Sequence, residues 1–573
     1  MLRGPPVTPA AASPGNYNHF DVRSLYPIRS VLSALLVAAV CITAAAQNPA
    51  LAPVAVNSAA AAIPRNGRLL LVMPFENRSS QTNLDWIGES VPEVLNQRLT
   101  SAGFLPINRT DRLYALDHLG LPLDFRPSRA SMLRMAQTLD ADYVIYGSYT
   151  LDGTTLKATA QILDVAALQL GRPIEQQAEL AHLIDILNSL AWRTARQLDP
   201  SYSVAEQTFV AANANVRLDA FENFIRGLVE AQHAERIKHL KESVRLNPNF
   251  YAAWLALGRA YFAHQDFEQA YTTLGKLPRN DSHALEAQFY RGLALFYTGN
   301  YAKAEDAFAF VATMLPLPEV VNNEGVAASR HGRDGGPLFE QAIAVDPKDA
   351  DYHFNLAVSM RRHNNLSGAQ REIEIAQKLR PSDSEVEAVA ALFKTDAARV
   401  VLAKAYPGAP ESDPPSEPLE RIKRGYNEAS FHQAAFELEQ VEAMRLATLP
   451  AADRAKALSR QGALFVSRGF FLEAERQFSE AVQADPLSAL AHAGLAQVRE
   501  HSGDPEAARK EAQTSISLQP NVAAYLVLGR LDLAANHIQE ATADVSNALR
   551  LEPANANARG LGQAVEARGH KLP

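Results

Sequence analysis

The stretch QGALFVSRGFFLEAERQFSEAVQADP, residues 461–486, contains the spacing that decides the fold of most of this 573-residue chain. After Gly462, an alanine, a large apolar residue, a second alanine and a proline follow at offsets of 12, 16, 19 and 24 residues. The same offsets lead to an alanine, two apolar residues and a proline after Gly292, Ala357 and Gly529. A motif that recurs in this way indicates a repeat architecture, in which each unit has the same local structure.

The residue types of the motif predict pairs of antiparallel helices. Glycine and alanine allow two helices to approach closely, and the larger apolar residues fill the space between neighbouring units. Each proline ends the second helix of a unit, because it lacks the N–H group that a helix requires. No unit can bury its apolar face alone, so the units stack into an α-solenoid. The signature residues are Trp254, Gly258, Tyr261, Gly292, Ala304, Phe308, Pro316, Ala369, Pro381, Gly462, Ala474, Phe478, Pro486, Gly529, Ala541 and Pro553.

Over residues 217–560 this signature resembles the tetratricopeptide repeat (TPR). The resemblance implies an all-α superhelix that acts by binding other proteins. Residues 403–418 contain five prolines, so we expect an extended linker there. This linker divides the array into a first block at 217–402 and a second block at 419–560, and a short tail follows at 561–573.

The resemblance also implies where a partner binds, because a TPR superhelix lines its concave face with residues of the first helix of each unit. Phe289, Phe296 and Tyr297 either form an apolar groove for an extended peptide or pack against the preceding unit. Arg361 and Arg362 either clamp an acidic group or form a solvated basic face, and we do not find the Lys and Asn pattern of clamp-type TPRs. The candidate groove residues are Arg259, Phe262, Phe289, Leu293, Phe296, Tyr297, Arg361 and Arg362.

A different pattern over residues 66–204 predicts a small α/β domain before the repeats. The apolar run RLLLVMP at 68–74 is typical of a strand that is buried on both faces. The segments on either side of Asp152-Gly153 alternate with the period of two that indicates a β-hairpin. The predicted fold class is therefore an α/β domain followed by an all-α TPR superhelix.

Three motifs of this domain resemble the amino-terminal domain of TolB and its CsgG-like and FlgO-like relatives. They are VMPFEN at 72–77, WIGESVPEVL at 86–95 and DYVIYGSYTLDGTTLKATAQILD at 142–164. In that family the domain is a non-catalytic module of envelope proteins, or the input half of proteins that end in TPR arrays. The resemblance therefore implies a role in the cell envelope without catalysis.

The amino-terminal segment predicts export. Val31–Ala46 is uncharged and follows Arg23 and Arg29, and it ends in small residues as secretory signal peptides do. Sixteen residues are few for a transmembrane helix. We therefore expect residues 1–46 to be a signal peptide, or alternatively an inner-membrane anchor, followed by a disordered Ala/Pro-rich spacer at 47–65. The expected location is the periplasm or the cell envelope.

The composition and the absence of known motifs argue against several classes of function. With 55 basic and 63 acidic residues the net charge is −8, which argues against a broad nucleic-acid surface. The single cysteine, Cys41, excludes a disulfide framework and a cysteine zinc site, and Val40 before it fits a lipidation motif poorly. We find no motif of a hydrolase, a metalloprotease or a nucleotide-binding loop.

The sequence therefore predicts a non-enzymatic, exported scaffold whose partners are proteins. It predicts no cofactor, no metal and no nucleic acid, with membrane association possible through residues 31–46. The alternative is a regulatory protein in which the α/β domain binds a small ligand and the TPR array relays the signal. The identity of the partner and the oligomeric state stay open.

Overall fold

The computed structural model describes residues 69–122, 128–211, 216–405, 418–426 and 440–569, without the side chains of 396–405. The predicted signal segment and spacer, most of the predicted linker and the end of the tail lie outside these residues. The described part consists of a small α/β region followed by a long run of helices, which confirms the predicted fold class.

The α/β region is built on a mixed sheet. Its described strands are β1 (Leu69–Val72), β2 (Glu76–Asn77), β3 (Leu105–Pro106), β4 (Tyr143–Asp152), β5 (Thr155–Asp164), β6 (Gln169–Leu170) and β7 (Ile174–Glu179). β1 lies between β3 and β4 and runs parallel to both, while β5 is antiparallel to β4, β6 and β7. The turn between β4 and β5 contains Gly153 with a φ of +59°, so the predicted hairpin is confirmed.

Helices cover both faces of this sheet. They are α1 (Trp86–Ser101), α2 (Arg109–His118), α3 (Arg129–Thr138), α4 (Leu183–Leu198) and α5 (Glu206–Ala211), with short 3₁₀ helices at Thr82–Leu84 and Leu180–His182. Leu70 and Val72 pack with α1 and α4, whereas Leu71 and Met73 pack with α2 and α3. Successive residues of a strand point to opposite faces, so the apolar sequence of β1 is buried on both sides.

The first helical block contains five antiparallel hairpins and a further helix among the described residues. Its helices are α6 (Leu218–Val229), α7 (His233–Leu246), α8 (Tyr251–Ala263), α9 (Phe267–Leu274), α10 (Ala284–Tyr297), α11 (Tyr301–Met314), α12 (Pro318–Arg330), α13 (Gly336–Val345), α14 (Ala350–Arg362), α15 (Leu366–Leu379) and α16 (Ser384–Ala405). Consecutive helices pack against each other from one hairpin to the next, as stacked repeats do.

The second helical block begins in the described residues with a helix at 440–447. Three hairpins and a last helix follow: α17 (Ala451–Arg468), α18 (Phe471–Ala484), α19 (Ala489–His501), α20 (Pro505–Leu518), α21 (Val522–Ala534), α22 (Ile538–Leu551) and α23 (Ala556–Glu566).

The small residues of the repeat signature lie where the helices come closest. A Cβ atom on Gly292 would approach the Phe308 ring to 2.8 Å, and one on Gly462 would approach the Phe478 ring to 2.8 Å. The ring of Phe478 also lies 2.2 Å from the Cβ position of Gly494 in the next hairpin. Phe478 therefore fills the space between two repeats, and only a residue without a side chain leaves room for it.

The α/β region contacts both helical blocks. On the first block, the rings of Trp86 and Phe221 meet edge to face with centroids 6.3 Å apart. On the second block, Glu475 accepts hydrogen bonds from the backbone nitrogen of Ala205, at 3.0 Å, and from the hydroxyl of Thr208. The repeat array is therefore attached to the α/β region at two places.

Candidate peptide-binding groove

Residues 418–426, with the sequence PLERIKRGY, lie against the first helical block. We call these residues the groove segment, and we call the helix face that they contact the groove. The groove is formed by α10, α12, α14 and α16, the first helices of successive repeats. The sequence analysis placed residue 419 at the start of the second block, whereas these contacts place the segment on the first.

Asparagine side chains hold the backbone of the groove segment, Asn355 and Asn323 by a pair of hydrogen bonds each and Asn322 by one bond of 3.2 Å to the Arg421 carbonyl. The amide nitrogen of Asn355 donates to the carbonyl of Arg421 at 2.8 Å, and its oxygen accepts from the Arg421 backbone nitrogen at 2.6 Å. Asn323 makes the same pair of bonds to Lys423, at 2.8 and 2.7 Å. Both asparagines are fully buried. Because an amide offers a donor and an acceptor together, this arrangement binds an extended backbone whatever its side chains are.

Carboxylates of the groove bind the basic side chains of the segment. Arg421 lies 3.0 Å from Asp351 and 2.7 Å from Asp383. Lys423 lies 2.6 Å from Asp349 and 2.7 Å from Asp351. Burial alone would raise the pKa of Asp351, but the charge of Lys423 and its neighbours lowers that pKa to about 2. The hydrogen bond from Arg421 is the largest cause of the lowered pKa of Asp383. Asp351 and Asp383 are therefore ionised at neutral pH and complement a cationic ligand.

Cationic side chains of the groove bind the acidic residue of the segment. The carboxylate of Glu420 has no exposed surface and pairs with the guanidinium of Arg362. Arg330 donates to the carbonyl oxygen of Glu420 at 2.9 Å. A buried carboxylate is costly unless it is paired, so Arg362 stabilises Glu420 in this position. Arg361 instead lies 5.8 Å from the ring centroid of Phe393, within the helical block.

Aromatic residues of the groove contact the apolar side chains of the segment. The rings of Phe289 and Tyr426 meet edge to face with centroids 4.6 Å apart. Ile422 packs in the same cluster as Phe296. Phe289 and Leu293 are themselves fully buried, because both also pack in the core of their hairpin.

The remaining predicted groove residues have different neighbours. The guanidinium of Arg424 lies 5.9 Å from the ring centroid of Tyr297. Arg259 pairs with Glu286 at 2.6 Å, and Phe262 packs with the aromatic residues of adjacent hairpins. The structure therefore brings four of the predicted residues to the groove segment, namely Phe289, Phe296, Tyr297 and Arg362, and places four in contacts within the block, namely Arg259, Phe262, Leu293 and Arg361.

The asparagines are the functional residues that the sequence analysis missed. Asn323 and Asn355 each stand two residues before the small residue of their repeat, which is Gly325 in one and Ala357 in the other. Their shared register position was the available signal. The Lys and Asn pattern of clamp-type TPRs does not match here, because carboxylates accompany the asparagines of this groove.

The described residues contain neither an arrangement for a metal ion nor a membrane-spanning helix. In that part of the chain, no group of three or more His, Cys, Asp or Glu side chains is arranged to hold a metal ion. None of the helices in the described ranges is both long enough and apolar enough to cross a membrane.

Comparisons with solved structures give partial matches. The MamA structure from Desulfovibrio magneticus RS-1 is 19% identical, and the match covers 32% of this chain and 99% of that one with a TM-score of 0.26. A tetratricopeptide repeat protein from Parabacteroides merdae is 11% identical over 55% of this chain and 98% of its own, with a TM-score of 0.22. The LpoB C-terminal domain from Salmonella enterica is 20% identical over 20% of this chain and 83% of its own, with a TM-score of 0.18.

Comparison with the curated proteins finds no significant match. Two family models described as tetratricopeptide repeat match the chain, one over residues 230–289 and the other over 459–523. The first match lies in the first helical block and the second match lies in the second. Both helical blocks of this chain therefore contain tetratricopeptide repeats, which suggest a role in protein–protein interaction.

Proposed function

We propose that this protein is an exported, non-enzymatic scaffold of the cell envelope that binds an extended polypeptide in the groove of its first helical block. The observation that carries the proposal is the pair of amides on Asn323 and Asn355. Each of them binds the backbone nitrogen and carbonyl of one residue of an extended chain, two residues apart.

This geometry favours a polypeptide over a small molecule. Alternate residues of an extended chain present their N–H and C=O groups in the same direction, and the two amides are placed to meet such a repeat. Asp351 and Asp383 on one side of the bound chain and Arg362 on the other then select side chains by charge. Backbone recognition supplies affinity and the charged residues supply specificity, as in other modes of peptide recognition.

The α/β region has a supporting role in this proposal. It resembles the TolB amino-terminal, CsgG-like and FlgO-like domains in the motifs at 72–77, 86–95 and 142–164. It contacts the first block through Trp86 and the second block through Ala205. We propose that this non-catalytic domain holds the two helical blocks in a fixed relation.

The proposed location rests on the apolar segment Val31–Ala46 with its basic flank. Amino-terminal sequencing of the protein from its host tests this, and we expect the mature chain to begin at Gln47. Leu35→Arg, in the middle of the apolar run, should retain the protein in the cytoplasm, while Leu2→Arg should not. A mature chain that still begins at Met1 in the cytoplasmic fraction would contradict export.

Binding is tested with the full chain as bait, titrated against an envelope extract. Because residues 418–426 bind the same two amides, the comparison is made in a chain that carries Arg421→Ala and Lys423→Ala, where we expect a polypeptide to be captured to saturation. In that chain Asn323→Ala with Asn355→Ala should reduce its affinity at least tenfold, at about 1 kcal/mol or more for each lost pair of hydrogen bonds. Asn223→Ala is the matched control, since this partly buried amide lies on the first helix of another hairpin and contacts Asp219. Equal capture by both variants would contradict binding in this groove.

A further inference from the structure

Residues 418–426 of the protein's own chain occupy the groove, and their sequence indicates what kind of partner the groove binds. We propose that residues 418–426 are a tethered self-ligand that masks the groove, and that the partner is a polypeptide with the same pattern: an acidic residue, a basic residue, an apolar residue and a basic residue in succession. This proposal rests on the proposed function and names the chemistry of its partner.

The groove selects side chains as well as backbone. Asp349, Asp351 and Asp383 lie together and are joined by Glu385, which lies 2.6 Å from Arg421. Arg380 of the same block pairs with Asp351 at 2.8 Å and with Asp383 at 3.4 Å, so one internal cation faces four carboxylates and an excess of negative charge is left for a basic ligand to offset. Two basic residues, one on each side of an apolar residue, meet this requirement, and they are what the segment places there.

The opposite charge lines the other side of the groove segment, because Asp351 stands in the first turn of α14 and Arg362 at its last residue. Arg330 and Arg362 both contact Glu420, whose side chain is fully buried. Arg330 also lies 5.8 Å from the ring centroid of Phe296, the residue that packs with Ile422. A ligand without an acidic residue at this point would leave two cations side by side in a partly buried position. The order of charges along the groove therefore also sets the direction of the ligand.

The contact between the groove segment and the first helical block resembles an interface whose partner can exchange. Ion pairs and backbone hydrogen bonds hold residues 420–423, Ile422 and Tyr426 add apolar contacts, and Leu419 has 52% of its surface exposed. Polar contacts between parts of one chain resemble transient protein interfaces more than a hydrophobic core. Twelve residues separate the segment from α16, and thirteen separate it from the helix at 440–447.

The test uses the full chain and a fluorescent peptide of sequence PLERIKRGY added in solution. Arg421→Glu with Lys423→Glu reverses the charges of the tethered segment and leaves the groove unchanged. We expect the peptide to bind this variant at least tenfold more tightly than the wild-type chain, as measured by fluorescence anisotropy. A peptide with the same two charge reversals should not bind either protein. In the variant background, Asp383→Asn should weaken binding of the original peptide several-fold.

A second variant keeps the test decisive if charge reversal disturbs folding. Arg421→Ala with Lys423→Ala removes the two charges without introducing repulsion, and circular dichroism verifies that its helices are intact. Failure of the peptide to bind this folded variant would overturn the self-ligand proposal. Dimers that depend on concentration and on Arg421 would also overturn it, since the segment would then belong to a second copy.

The two proposals fail in different ways. If the released variants capture an envelope polypeptide but not the peptide, the self-ligand proposal fails and the scaffold function stands. If they bind the peptide but neither they nor the wild-type chain capture any polypeptide, the scaffold function fails. If the PLERIKRGY peptide displaces the captured polypeptide from the protein, the result supports both the scaffold function and the self-ligand proposal.

Discussion

The carboxylate of Glu475 in α18 accepts a hydrogen bond of 3.0 Å from the backbone nitrogen of Ala205, which lies 270 residues earlier in the chain. The same carboxylate pairs with Arg499 at 2.6 Å and has no exposed surface. The buried Glu475 side chain therefore joins the second helical block to the end of the α/β region, together with contacts such as that of Arg476 with the Ser101 carbonyl. This contact stabilises the attachment of the first hairpin of the second block.

The first prediction concerns this contact. Glu475→Ala should lower the free energy of unfolding by about 3 kcal/mol, because it leaves the charge of Arg499 without its buried partner. Urea unfolding followed by circular dichroism measures the change. Glu540→Ala, at an exposed position of α22, is the control and should change stability by less than about 0.5 kcal/mol. If the two variants lost a similar amount of free energy of unfolding, the buried Glu475 contact would not contribute more to stability than an exposed side chain does.

The second prediction concerns the close approach of helices in the second block. Gly494→Ala places a Cβ atom 2.2 Å from the ring of Phe478, so we expect a loss of about 2 kcal/mol from overpacking. Gly560→Ala is the matched control, since the Cβ position of Gly560 has no atom within 4 Å. There the substitution should raise stability by about 0.5 kcal/mol or more through helix propensity. In thermal unfolding we expect Gly494→Ala to lower the stability and Gly560→Ala to raise it. A Gly494→Ala variant as stable as the wild-type protein would contradict the close packing of Phe478 against Gly494.

The third prediction concerns pH. Burial, with the nearby charge of Asp532, raises the pKa of Asp544 from 3.8 to about 7. The folded protein therefore holds this proton at pH values where the unfolded chain has released it. The carboxyl thus costs stability increasingly as the pH rises from about 4 to about 7, and the full cost is present above that range.

Asp544→Asn should remove this cost. We expect a gain of about 1 kcal/mol at pH 8, after allowance for partial exposure, and no gain at pH 4. Thermal unfolding at the two pH values measures the difference. Asp306→Asn, an exposed position of α11, is the control and should show no such dependence. A gain of equal size at both pH values would contradict the assigned pKa.

The fourth prediction concerns the groove segment. Between Ala405 and Gln440 the only lysine or arginine residues are Arg421, Lys423 and Arg424, so trypsin cuts this stretch only within the segment. The asparagine amides hold that backbone in the groove. Asn323→Ala with Asn355→Ala should therefore increase the rate of cleavage there about tenfold, as followed by mass spectrometry.

Asn223→Ala is the control for cleavage and should leave the rate at the wild-type value. This variant removes an amide of the same block that contacts Asp219 instead of the groove segment. Cleavage of the wild-type protein as fast as the double variant would show that the segment is not held.

Much of the fold follows from local patterns. The offsets from Gly462 to Pro486 predict a helical hairpin, and the structure has α17 and α18 there with Phe478 against the glycine. The alternation on either side of Gly153 likewise predicts the hairpin of β4 and β5. These predictions succeed because helix period, strand period and turn geometry act over a few residues, where side-chain spacing alone carries the information.

By itself, then, the sequence determined the repeats and the first strand and hairpin of the α/β region, and it predicted four of the residues that contact the groove segment. Only the tertiary structure decided that residues 418–426 occupy that groove and that Glu475 closes the array onto the α/β region. Asp351 and Arg421 are 70 residues apart and meet through the stacking of successive hairpins. No local spacing encodes such a pairing, because it depends on how each repeat is rotated against the next.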